Sequence, residues 1–169
     1  RPKYMTVITD MVSTHTWWYE KSVDVLIVPT YEAYRRGLEL GVDPHKMHVV
    51  GLPIADKFTH LMSKQEAREA LGLPQDLPLA LLVSGGDGMG PLEETVKAIV
   101  DQKTRIGLVA VAGKNEALKA RLESLEYPCP AFIKGFVTNM SDYMAASDVI
   151  ITKAGPGTIS EAFIAGLPI

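Results

Sequence analysis

Val149-Ile150-Ile151-Thr152-Lys153-Ala154-Gly155-Pro156-Gly157-Thr158-Ile159-Ser160-Glu161-Ala162 changes character twice within a few residues. The first part is apolar and β-branched, as in a strand buried on both faces. Ala162, Phe163 and Ala165 have the small and apolar spacing of a helix. Between them, Gly155-Pro156-Gly157 breaks both patterns, because glycine accepts positive φ and proline brings no N–H to satisfy. Thr158 reads as the N-cap of the following helix, with Glu161 three positions on completing a capping box. Such a turn aims backbone N–H groups and the positive end of a helix at the space above the strand, which favours phosphate. A tight turn with an ordinary cap fits these residues equally well, so a second loop of the same kind is what gives the reading weight.

That loop is Ser84-Gly85-Gly86-Asp87-Gly88-Met89-Gly90, between the apolar run Leu79–Val83 and a helix that Pro91, Glu93 and Glu94 predict from position 91 to 100. Its glycines let the backbone approach a ligand closely, with a diphosphate as the fitting chemistry. It is not the dinucleotide fingerprint: the glycine spacing differs and no acidic residue closes the next strand, which disfavours a dinucleotide oxidoreductase.

Outward from these loops the chain alternates strands and helices. Upstream, strands are expected at Tyr4–Thr9, Val23–Pro29 and His48–Ile54, with a helix from Tyr31 to Leu40 capped by Thr30 and stopped by Gly41. Ser63 and Glu66 form a capping box before the helix Lys64–Leu71. Downstream come strands at Ile106–Ala112 and Ala131–Ile133 and helices at Glu116–Leu125 and Ser141–Ala146. The pattern predicts an α/β protein of parallel sheets whose carboxyl edge is the binding edge. The expected organisation is 1–55, a connecting stretch and helix at 56–78, and a second domain over 79–169.

Composition narrows the function. With 169 residues, 47% hydrophobic and 22% charged, the chain is globular. A net charge of -3 gives no basic footprint for nucleic acid. The single cysteine, Cys129, lies between two prolines and reads as inert. No apolar run approaches the roughly 20 residues of a membrane span. The absence of a Cys/His cluster argues against a metal centre, and the absence of a Gly-x-Ser-x-Gly elbow against a serine hydrolase. Arg1 at the start and a turn-like Gly166–Ile169 at the end are the marks of a fragment. The loop Met11–Tyr19, with His15, Trp17 and Trp18, follows Asp10 at a strand's end and is suited to an acceptor site or a membrane surface, or simply to plugging a domain edge.

Taken together and in this order, Thr9-Asp10 with His15 and Trp17, Gly51-Leu52-Pro53-Ile54, Gly-Gly-Asp-Gly-Met-Gly-Pro, Gly135-Phe136-Val137-Thr138 and the opening stretch resemble the monogalactosyldiacylglycerol synthase group of GT-B glycosyltransferases. The enzyme that adds N-acetylglucosamine to a lipid-linked cell-wall precursor is a similar relative. The resemblance implies a fragment of a two-domain, Rossmann-like enzyme with helices on both faces of its sheets. Its C-terminal domain would bind a UDP-sugar and its N-terminal domain a diacylglycerol-like lipid. The implied reaction is inverting hexosyl transfer at the cytoplasmic membrane surface, with no cofactor or tightly held metal. By position, Gly85, Gly86, Asp87 and Gly88 would lie by the diphosphate and the Phe136-Val137 backbone by uracil. Gly157 and Thr158 would meet phosphate, and Glu161 the ribose hydroxyls. Lys153 could offset phosphate charge. Asp10 and His15 would orient acceptor or sugar, with the main base upstream of Arg1. UDP-N-acetylglucosamine transfer to a lipid-linked cell-wall precursor and a non-catalytic nucleotide-binding αβ module stay open as the alternative readings.

Overall fold

The structure, a computed structural model, describes residues 2–85 and 91–169. The chain divides into two compact units, Arg1–Ile54 and Ala55–Ile169.

The first unit is a three-stranded parallel sheet in the order β1-β2-β3, formed by Met5–Val7, Val25–Val28 and Met47–Val49. Its strands are shorter than the apolar runs that predicted them. The edge strand β1 is largely exposed, whereas the central β2 contributes the fully buried Leu26 and Val28. Helix α1, Tyr31–Glu39, packs on β2 and β3. The approach is close at Gly37, where an added Cβ would strike the Met47 sulfur and come within 3.1 Å of the Tyr19 ring.

Thr30 caps α1 as expected: its hydroxyl accepts from the Ala33 N–H at 3.1 Å and donates to the Met11 carbonyl. Thr30→Ala removes both bonds, and a loss of about 1–2 kcal/mol of stability is expected by denaturant titration. Thr30→Ser should recover most of it.

The second unit carries a four-stranded parallel sheet in the order β6-β5-β4-β7. Its strands are β4 Leu79–Val83, β5 Gly107–Val111, β6 Ala131–Lys134 and β7 Val149–Thr152. Side chains alternate across it. Ala80, Leu82, Leu108 and Ala110 face one core with Leu92 and Val96 of α3, Leu92–Asp101, and Leu118 and Leu122 of α4, Glu116–Glu123. The registers Leu81↔Val109 and Leu81↔Ile150 put these three buried residues together on the other face, and helix α5, Met140–Ala146, packs against β4.

Helix α2, Lys64–Leu71, begins at the expected capping box, complete in both directions, and packs on α5. The stretch anticipated as a connection therefore contributes a helix to the second unit.

Two local expectations are corrected. β7 is not buried on both faces: it is the last strand of this sheet, and Ile151 is exposed. Helix α3 starts at Leu92, with Pro91 in the capping position and not inside the first turn.

Candidate functional site

All four strands of the second unit run parallel, so the segments leaving their carboxyl ends gather at one edge. These are Ser84-Gly85 after β4, Gly113-Lys114-Asn115 after β5, Gly135-Phe136-Val137 after β6 and Lys153–Thr158 after β7. The strand order makes β4 the reversal point, because the chain moves outward through β5 and β6 and then crosses back to β7 on the other side. In open α/β sheets the ligand crevice lies at that reversal. A pocket of about 140 Å³ occurs there, lined by Val83, Ser84, Leu92, Thr95, Thr152 and Lys153, among others.

The local chemistry follows from the chain. Gly85 turns out of β4 at φ +86°, a conformation that L side chains avoid, and an added Cβ would lie 3.1 Å from Cε and 3.4 Å from Nζ of Lys153. The Lys153 ammonium thus stands over the glycine turn, and no ion pair among the described residues neutralises it. Thr152 Oγ1 donates to the Val83 carbonyl at 3.1 Å and ties the two strand ends together.

Helix α6, Pro156–Ile164, begins earlier than its sequence suggests. Gly155 is the N-cap and Pro156 the first helical residue, where its fixed φ fits and its missing N–H costs nothing. Thr158 is therefore inside the first turn, not the cap, and Glu161 forms no capping box. Among the described residues no side chain caps the helix, so none of these covers the Gly157 and Thr158 N–H groups with an acceptor. The space beside Gly157 is open, with nothing within 4 Å of an added Cβ. A helix start with uncapped donors, open approach and an adjacent ammonium suits an anion.

Glu161 lies further along α6 and is half-buried. Burial pushes its carboxyl above the ordinary value, opposed by the positive charge of Lys57. Phe136 is exposed after β6, with the Lys114 ammonium 5.5 Å from its ring centroid. The sequence reading passed over Lys114. The signal was available, since every strand-to-helix loop of a parallel sheet lies on the binding edge. Of the residues expected at the diphosphate, Gly85 is placed on this edge, while Gly86, Asp87 and Gly88 lie outside the described residues.

The other two candidates belong to the first unit. Asp10 Oδ2 accepts from the indole N–H of Trp18 at 3.0 Å. His15 Nδ1 accepts from the Trp17 backbone N–H at 3.2 Å, and because an amide only donates, the neutral ring carries its proton on Nε2. The exposed His15 packs edge-on to both Trp17 and Trp18. Trp17 is 82% exposed and Trp18 51%.

A parallel α/β unit with a pocket at its reversal point and glycine-lined turns has the layout in which open α/β sheets bind their ligands. Residues 80–169 match the Glycosyltransferase family 28 C-terminal domain, and the chain belongs to that family. Residues 1–54 match Monogalactosyldiacylglycerol (MGDG) synthase. Among relatives, the chain is 44% identical over 98% of its length to the probable monogalactosyldiacylglycerol synthase, chloroplastic, of Nicotiana tabacum, and 40% identical over 98% to monogalactosyldiacylglycerol synthase 1, chloroplastic, of Arabidopsis thaliana. It spans 32% and 33% of those two proteins, about a third of each. Among solved structures, HepE of Anabaena in complex with UDP superposes with a TM-score of 0.60 at 15% identity, covering 97% of this chain and 51% of HepE. Acinetobacter baumannii MurG gives a TM-score of 0.60 at 16% identity, covering 98% of this chain and 45% of MurG. The fold is thus that of the GT-B glycosyltransferases, parallel sheets with helices on both faces.

Proposed function

We propose that this chain is the donor-binding region, with an adjoining part of the acceptor side, of an inverting glycosyltransferase that moves a hexose from a UDP-sugar to a diacylglycerol-like lipid. Residues 79–169 bind the donor and 1–55 serve the acceptor, while 56–78 lead from one to the other and add helix α2 to the second unit. Galactose is the sugar favoured by the names of the relatives. The observation that carries the reading is the reversal-point pocket with the uncapped start of α6, Gly85 and Lys153 around it.

The chemistry follows from these groups. The lipid hydroxyl gives its proton to a general base as its oxygen attacks the anomeric carbon, the bond from that carbon to the diphosphate oxygen breaks, and UDP leaves with the negative charge. The Gly157 and Thr158 N–H groups and the Lys153 ammonium are placed to hold that charge, which develops in the transition state. Glu161 accepts from the ribose hydroxyls, a good match of one carboxylate to two donors. The backbone at Phe136-Val137 meets uracil, while Gly86, Asp87 and Gly88 continue the diphosphate loop begun by Gly85. The His15 Nε2–H is a donor, suited to orienting a hydroxyl and not to removing its proton. Asp10, already engaged by Trp18, keeps a second oxygen for a similar role.

Calorimetric titration with UDP, with NAD as the control, tests the reading: saturable UDP binding without NAD binding is expected. NAD binding in place of UDP would sink it.

Contact with the membrane surface is part of the same reading. Among the described residues no helix is long and apolar enough to cross a membrane. Trp17 and Trp18 present exposed rings with polar edges, the kind of side chain favoured at a bilayer interface. Replacing both by Ala is expected to lower partitioning into anionic liposomes by about tenfold or more. Unchanged partitioning in a sedimentation assay would assign the rings to protein packing.

A further inference from the structure

Lys57 stands outside every motif that carries the donor reading, between the stretches 1–54 and 80–169 matched by the two families. It occupies the short 3-10 turn Asp56–Phe58 at the start of the second unit. The turn is anchored by Phe58, which is 3% exposed, and the Lys57 ammonium lies 5.3 Å from the centroid of that ring. From there Nζ donates to the Thr138 carbonyl at 3.0 Å. Thr138 directly follows the Phe136-Val137 backbone assigned to uracil. The Lys57 charge also opposes, without overcoming, the rise that burial imposes on the Glu161 carboxyl. One cation thus ties the loop assigned to uracil to a turn that carries no other part of the donor reading.

We propose that Lys57 is a positioning residue for the nucleoside half of the donor, fixing the loop after β6 through the Thr138 carbonyl. This rests on the UDP-sugar reading above. A hydrogen bond from an ammonium to a carbonyl restrains the loop that carries Val137, so the backbone groups facing uracil are set before the ligand arrives. The contrasting role for a lysine near such a site is direct contact with phosphate as a point charge.

The two roles separate by ligand. UDP and uridine are titrated into the full chain as wild type, Lys57→Met and Lys57→Arg, and into Glu161→Gln with and without Lys57→Met. Lys57 is exposed, so the Met variant is expected to keep the wild-type melting curve. Lys57→Met should weaken UDP and uridine by the same factor, about tenfold, and Lys57→Arg should restore most of the affinity. In the Glu161→Gln background the loss should persist, because the restraint passes through the Thr138 carbonyl and not through that carboxylate. A loss for UDP but not for uridine would make Lys57 a phosphate ligand and overturn the proposal, as would unchanged binding of both. Failure of the wild type to bind UDP would instead overturn the donor reading, and this inference with it.

Discussion

Glu161→Ala is expected to weaken UDP binding by about ten- to a hundredfold, the range set by losing hydrogen bonds to a charged acceptor. Glu161→Gln should fall between, since an amide keeps one acceptor oxygen but loses the charge. The size follows from the carboxylate's position. Half-buried in α6, it has already lost part of its hydration, and in the proposed complex the ribose hydroxyls would replace the water it gave up.

The same burial predicts the pH dependence. Burial raises the Glu161 carboxyl and the Lys57 charge lowers it, with burial the larger effect, so its folded-state value lies above the ordinary one. UDP affinity is therefore full above that raised value and is lost as pH falls through it, beginning at a higher pH than for a solvent-exposed glutamate. For stability the sign is opposite. A carboxyl whose folded value is raised is best accommodated when protonated, so its contribution weakens as pH rises and the group ionises. Glu161→Gln should then melt no lower than wild type near neutral pH, and slightly higher without ligand, while binding UDP less well. Such a stability–function conflict is expected of a binding-site carboxylate and not of a structural one. Equal UDP affinity in wild type and Glu161→Ala, measured by calorimetry at neutral pH, would remove Glu161 from the ribose.

Legibility in the sequence followed the range of the interactions. β4 appears at Leu79–Val83 and α2 at Lys64–Leu71 as read, because a run of apolar residues and a local capping box depend on neighbours in the chain. The capping of α6 was misread because two local signals compete. Thr158 with Glu161 offers a capping box, but Pro156 is better used as the first helical residue, and the helix starts three residues earlier than a Thr158 cap would allow. The misreading matters, since a Thr158 cap would have filled donors that the structure leaves without a side-chain acceptor. Strand order was not legible: nothing in Val149–Thr152 says that it adjoins β4 and closes one side of the sheet. The reversal-point pocket depends on that order. Lys57 is illegible for the same reason, because its partner Thr138 lies far along the sequence.

Strand order also creates the second large expected effect, at the opposite edge of the same sheet. Arg68 of α2 is buried, its side chain 5% exposed. Its guanidinium donates to the Ala146 carbonyl at 2.8 Å, the Gln75 carbonyl at 3.0 Å and Asp148 Oδ2 at 2.7 Å. Asp148 Oδ2 also accepts from the Leu79 N–H at 2.8 Å, and Oδ1 takes the Lys64 ammonium at 2.6 Å. One carboxylate thus joins α2 to the residues that begin β4 and precede β7. Asp148→Ala leaves the guanidinium buried without its counter-charge and the Leu79 N–H without its acceptor. Breaking a buried pair from one side costs about 3–5 kcal/mol, and because Asp148 is itself 36% exposed the lower end is expected. For a chain of this size that is a fall of roughly 6–12 °C in Tm. Lys64→Ala, at the exposed side of the cluster, should cost less than about 1 kcal/mol. Burial would raise the Asp148 carboxyl, but the hydrogen bonds from Lys64 and the Leu79 N–H and the charges of Lys64 and Arg68 outweigh it and hold the group below its ordinary value. Its stabilisation is therefore present above the ordinary aspartate range and is lost as pH falls through that depressed value, so the Tm gap between wild type and Asp148→Ala should close in strong acid. The UDP affinity of the folded variant should stay close to wild type, because the cluster and the donor pocket occupy opposite ends of β4 and β7. A Tm within about 2 °C of wild type would show that the guanidinium finds enough compensation in its two carbonyl partners alone.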